Sequence, residues 1–112
     1  KVSAILLIGG KIPLFFREGK DKTQWWDLPG GKRNEIGGRL EDDDTALVRE
    51  VKEELGVTAE ITRFVADVPH VLHPNKFIGI YLCQKISGEP RNMLPDEHLD
   101  MQMFAPAEAV VK

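Results

Sequence analysis

Glu50, Glu53 and Glu54 are spaced by three and four residues. At about 100° per residue, a helix gathers them into one sector roughly 100° wide. Like charges at these spacings cost an isolated helix about 0.2–0.5 kcal/mol per pair. A solvated acidic face absorbs that cost in water. A divalent cation offsets it, because hard cations take carboxylate oxygens. The segment Leu28-Pro29-Gly30-Gly31 upstream favours the cation. Its paired glycines let backbone approach a ligand closely and leave carbonyls and amides free to bind it. A glycine carbonyl beside three carboxylates gives Mg²⁺ an oxygen set, with water and a substrate phosphate completing the octahedron. A purely structural acidic face leaves the Pro29-Gly30-Gly31 turn unexplained.

Those groups need a helix and a sheet to hold them. Leu47, Val51 and Leu55, with Val48 beside them, form an apolar stripe over residues 43–55. Asp42 or Asp43 supplies the N-cap, the acidic first turn suits the helix dipole, and Gly56 ends the helix. Val2–Ile8 reads as a buried strand and Lys11–Arg17 as its hairpin partner, with Pro13 pushing the latter towards a sheet edge. Residues 18–24 and 32–40 read as loops. Residues 58–72 are β-rich but interrupted by Pro69, which suggests two pieces or a bend. Residues 77–86 make a strong strand, 101–104 a short one, and 105–111 the start of a helix. That order predicts an α+β fold with a mixed sheet.

At 112 residues and 12.6 kDa the chain suits one domain. Its hydrophobic fraction of 42% and charged fraction of 29% exclude a disordered, collagen-like or coiled-coil chain. A net charge of −3 gives no global attraction for a nucleic-acid backbone or an anionic membrane, so phosphate chemistry must come from a local site. A single cysteine, Cys83, cannot form an internal disulfide and fits a reducing, cytoplasmic setting. The apolar run Val2–Ile8 is too short to span a bilayer and lacks signal-peptide flanks. The chain starts at Lys1 and ends at Val110-Val111-Lys112, which suggests a domain trimmed at one or both ends.

The segment Leu28–Val57 resembles the signature of the Nudix hydrolases, MutT-like members included. That motif runs Gly, five residues, Glu, seven residues, then Arg-Glu-apolar-any-Glu-Glu-any-Gly-apolar. Glu41, Arg49, Glu50, Val51, Glu53, Glu54, Gly56 and Val57 match it position by position. The first half departs: nine residues, not five, separate Gly31 from Glu41, as if about four had been inserted around 36–40. Loop-closure cost tolerates such an insertion.

The resemblance implies a Nudix-type mixed β-sheet with the motif helix packed on it, an α/β/α sandwich formed as a single domain over 1–112. It also implies Mg²⁺- or Mn²⁺-dependent water attack on a phosphoanhydride in a small nucleotide, with no nucleic-acid polymer as partner. The expected reaction takes a nucleoside triphosphate to the monophosphate and pyrophosphate. ADP-ribose, dinucleoside polyphosphates and nucleotide sugars are alternatives, and a nucleotide sensor without turnover is the rival from another class. By the same resemblance Glu50, Glu54 and Glu53 are metal ligands, with the Gly30 carbonyl completing the inner shell. Arg49, assisted by Glu41, holds the carboxylates, and either Glu50 or Glu53 is the general base. Metal chemistry of this kind needs no Lys or Arg cluster. MutT-like members carry a further metal-binding carboxylate where this chain has Gln84, and Glu97 or Asp96 could compensate.

Substrate-contact candidates are Trp26, for stacking on a base, Phe77 and Tyr81, which share one face of their strand, and Gln84 and Glu97. His70, His73 and His98 lack metal-ligand spacing and read as loop or surface residues. Cys83 reads as a small buried hydrophobe. Gly30-Gly31-Lys32 lacks the spacer and the hydroxyl residue of a P-loop, and Gly37-Gly38 follows no strand as a dinucleotide fingerprint requires.

Overall fold

The helix that carries the glutamates, α1 (Asp43–Leu55), has the predicted bounds, and its ends show why. The Asp42 side chain accepts the Thr45 N–H at 2.8 Å. Gly56 is left-handed (φ 73°), and its N–H donates to the Lys52 carbonyl. This computed structural model describes residues 1–70 and 73–107.

Among the described residues, nine strands accompany the helix: β1 (Val2–Leu7), β2 (Ile12–Glu18), β3 (Gln24–Asp27), β4 (Gly30–Gly31), β5 (Glu35–Ile36), β6 (Arg39–Leu40), β7 (Thr58–Pro69), β8 (Phe77–Ser87) and β9 (Asp100–Phe104). The main sheet runs β4-β1-β8-β7, and β1 lies parallel to β8 while the other pairs are antiparallel. It is therefore mixed, as predicted. The apolar stripe of α1 (Ala46, Leu47, Val51, Leu55) packs on Val2, Ala4 and Leu6 of β1, Ala59 of β7 and Cys83 of β8, all 5% exposed or less. Each fully buried Leu or Val here contributes about 1.5–3 kcal/mol. Among the described residues, no helix is long and apolar enough to cross a membrane.

Several expectations need correction. Among the described residues, backbone pairing between the β1 and β2 segments is limited to the Ile8–Lys11 bridge, and β2 then joins a second sheet, β3-β2-β9, as its central strand. Pro13 is nonetheless tolerated there, because β3 pairs only from Phe15 onward and leaves β9 as the sole neighbour at Pro13. In 58–72 the bent-strand alternative is the one seen: β7 runs to Pro69, and register shifts at 58/59, 61/63 and 64/66 supply the bending, while residues 71–72 lie outside the described residues. The predicted loop 32–40 contains a miniature hairpin, β5–β6, whose two-residue turn is Gly37-Gly38. Both glycines have positive φ (60° and 80°), which a two-residue hairpin turn of this hand requires. Of the helix expected over 105–111, residues 108–111 lie outside the described residues.

Candidate active site

Pairing with β1 carries β4 along the edge of α1, and three successive residues meet the helix there. The Gly30 N–H donates to Glu54 Oε1 at 2.8 Å. A Cβ on Gly31 would stand 2.5 Å from the Glu50 carboxyl carbon and 2.7 Å from its oxygens. The Lys32 carbonyl accepts from Arg49 Nη2 at 3.1 Å. Glycine is needed at both positions for different reasons. A Cβ on Gly30 would collide with the Val2 carbonyl oxygen, and one on Gly31 would displace a carboxylate.

Arg49 organises the acidic edge. Its Nη2 lies 2.8 Å from Glu41 Oε1 and its Nε reaches both Glu41 oxygens at 3.2 and 3.1 Å. Its Nη1 donates to Glu50 Oε1 at 3.0 Å and to both Glu53 oxygens at 3.2 and 3.3 Å. The planar five-donor fork of a guanidinium suits this task, and a lysine could not reproduce it. The guanidinium holds the Glu41 carboxyl below its ordinary range, helped by the Asn34 N–H at 2.7 Å.

The inserted residues leave this clamp intact. The Asn34 carbonyl accepts the Glu41 N–H at 2.8 Å, so the hairpin opens and closes on adjacent residues and projects outward. Replacing Glu35–Leu40 with a two-residue Asn-Gly link restores a five-residue spacing between Gly31 and Glu41. We expect the melting temperature to hold within the few degrees that correspond to about 1 kcal/mol. A collapse of the melting transition would make the hairpin a structural requirement.

The three glutamates occupy one sector but differ in environment. Side-chain exposure falls from 52% at Glu53 to 17% at Glu50 and 7% at Glu54. Burial raises the Glu54 carboxyl to about 7, and the nearby Glu50 and Glu97 charges add to that, while the Gly30 N–H and Arg17 oppose it. Burial also raises Glu50, against the pull of Arg49. Two partly desolvated carboxylates of like charge form a hard-oxygen donor set that fits a divalent cation. Among the described residues they are not already gathered as a cage of three or more metal-ligating side chains. Glu50 and Glu53 point to Arg49, and Glu54 points to the Gly30 amide and to His98.

His98 is the residue sequence reasoning misread. It is 1% exposed, not a surface residue, and its Nε2 lies 3.2 Å from Glu54 Oε2. Burial holds its imidazole below the ordinary value. Nothing in the chain's spacing signals this contact, because a long loop delivers it. A cavity of about 360 Å³ was missed as well; it is lined by Lys1, Lys32, His70, His73, Lys76 and Phe77. Its lysines come from three separate segments, although Lys32 directly follows the paired glycines.

The other candidates are dispersed. Phe77 lines the lysine-rich cavity. Tyr81 donates to Asp43 Oδ2 at 2.6 Å, at the N-terminal end of α1 and away from its glutamates. Trp26 packs in the second sheet between Phe16 and Phe104, with ring centroids 5.0 Å from each. Gln84 is not brought to the carboxylates. It follows Cys83, which faces α1, and alternation turns it to the opposite face, where it lies 3.4 Å from Glu60. Glu97 lies close enough for its charge to act on Glu54. Burial raises the Cys83 thiol to about 11, which leaves it unreactive.

The NUDIX domain family model matches residues 1–112. Among solved structures, the chain is similar to a MutT NUDIX hydrolase from Burkholderia pseudomallei, with 30% identity over 93% of this chain and 80% of that one and a TM-score of 0.72. The E. coli ORF135 protein is similar at 28% identity over 98% and 75%, with a TM-score of 0.72. An ADP-ribose pyrophosphatase from Streptococcus suis is similar at 28% identity over 92% and 70%, with a TM-score of 0.66. No curated protein is significantly similar to the chain.

Proposed function

The chain belongs to the Nudix family of pyrophosphohydrolases, and from its site geometry we propose that it hydrolyses a nucleoside triphosphate to the monophosphate and pyrophosphate with Mg²⁺ or Mn²⁺. The observation that carries the reading is the pair of desolvated carboxylates, Glu50 and Glu54, set against glycines that leave room for them. In this reading Glu50, Glu54 and the Gly30 carbonyl hold the ion, and Glu53 is a third ligand. A divalent cation bound there neutralises pyrophosphate charge and acidifies water. Arg49 and Glu41 keep the acidic edge in register.

Water adds to phosphorus, the anhydride P–O bond breaks, pyrophosphate leaves, and the water proton passes to a carboxylate. Glu50 or Glu53 accepts that proton, the first from a partly buried position and the second from an exposed one. Glu97 supplies further negative charge beside Glu54. The three lysines of the cavity supply the cationic charge that a polyphosphate chain calls for, and Phe77 offers it an apolar wall.

Release of pyrophosphate or phosphate with Mg²⁺ should be measured over nucleoside triphosphates, ADP-ribose, dinucleoside polyphosphates and nucleotide sugars. Nucleoside triphosphates are expected to show the highest kcat/KM. A clear preference for ADP-ribose, the substrate named for the Streptococcus suis relative, would reassign the specificity. Nucleotide binding with no hydrolysis of any member would identify a sensor.

A further inference from the structure

The loop between β8 and β9 wraps the C-terminal end of α1. The Arg91 N–H donates to the Leu55 carbonyl at 3.1 Å, and the Met93 N–H donates to the Glu54 carbonyl at 2.9 Å. Further along, the Leu99 N–H donates to the Phe16 carbonyl at 2.8 Å, and the Asn92 side-chain amide donates to the His98 carbonyl at 2.8 Å. These bonds fix the path that inserts the His98 ring. The ring stacks on Phe15 with centroids 3.9 Å apart and planes 16° apart.

A buried imidazole held this firmly can present only one edge to its neighbours. Among the described residues Nδ1 is buried with no hydrogen-bond partner, whereas Nε2 lies 3.2 Å from Glu54 Oε2. Nε2 is therefore the one ring nitrogen with an acceptor in reach, and a proton carried there faces Glu54 Oε2. With the Gly30 N–H on Oε1, each oxygen of Glu54 has one nitrogen beside it, the first from strand β4 and the second from the loop before β9.

We propose that His98 is a positioning residue: it donates from Nε2 to Glu54 and sets the direction in which that carboxylate presents its remaining lone pairs to a divalent cation. This rests on the reading of Glu54 as a metal ligand. Partners one step removed from a metal matter in this way because they lock the ligand's orientation before the ion arrives. The stacking on Phe15 holds the imidazole, and the imidazole holds Glu54.

Mn²⁺ binding to the nucleotide-free protein, measured by titration calorimetry, separates the possibilities. His98→Phe keeps an aromatic ring over Phe15 and loses the donor, so Mn²⁺ affinity should fall about 10–100-fold. His98→Gln carries an N–H donor at the reach of Nε2 and should recover most of that affinity. Should His98→Phe fail to fold, His98→Leu carries the same expectation, with folding checked by circular dichroism. Glu54→Gln serves as the reference and should lose Mn²⁺ binding. Loss in Glu54→Gln with parent-like affinity in His98→Phe would overturn the role of His98 alone. A His98→Gln variant as weak as His98→Phe would overturn it too, by assigning the effect to packing. Parent-like affinity in Glu54→Gln would overturn the ligand reading itself, and this proposal with it.

Discussion

Glu54→Gln is expected to lower turnover by about two to three orders of magnitude, since the charge stabilisation at stake is several kcal/mol and each 1.36 kcal/mol is tenfold in rate. The same substitution should stabilise the metal-free protein, and the pH dependence gives the effect its signature. The folded-state value of Glu54, about 7, lies above its ordinary 4.5, so the folded chain holds this proton more tightly than the unfolded chain does. Below pH 4.5 both states are protonated and no penalty exists. Between pH 4.5 and 7 the unfolded chain gives up its proton first, and stability falls with rising pH. Above pH 7 the loss is complete, at about 3 kcal/mol.

Glutamine carries no such penalty. Thermal melts in a chelator should therefore show the variant and the parent equal near pH 4, with the variant pulling ahead up to pH 7 and holding its lead above it. A difference that stays constant from pH 4 to 8 would contradict the burial of an ionisable Glu54. Turnover equal to that of the parent would contradict its role as a ligand.

Arg49→Ala is expected to lower turnover about 10–100-fold and to reduce the melting temperature. Removing the fork strands Glu41 and Glu50, whose side chains are 8% and 17% exposed, without their cation, and it releases Glu53 and the Lys32 carbonyl as well. Arg49→Lys returns one charge but no planar fork, so it should recover only part of the melting temperature and little of the turnover. Steady-state kinetics should place the loss chiefly in kcat, because among the described residues the side chains Arg49 bonds to are all glutamates, and Lys32 meets it only through its backbone carbonyl. A lysine variant with full turnover would show that charge alone suffices and that the fork geometry is dispensable.

Both effects involve residues that the sequence brings into view for a simple reason: they lie on one helix. The spacing of Arg49, Glu50, Glu53 and Glu54, the N-cap at Asp42 and the stop at Gly56 are rules of neighbouring residues, and local backbone geometry enforces them wherever the segment is placed. The strands β1 and β8 are legible on similar grounds, through short apolar runs rich in β-branched residues. Even the departure before Glu41 proves to be local, because the extra residues fold on themselves around Gly37-Gly38 and return the chain to where it left.

What tertiary structure alone decides is which residues meet across long separations. His98 reaches Glu54 because backbone bonds from Arg91 to Leu99 pin a loop over the helix end. Gln84 turns away because the register of β8 commits Cys83 to the core, and a strand cannot offer adjacent residues to one face. Lys1, Lys32 and Lys76 line one cavity only because three segments converge there. Helix periodicity and capping are short-range and leave a mark in the order of residues. Loop paths and strand register are set by the packing of the whole chain, and no window of sequence contains them.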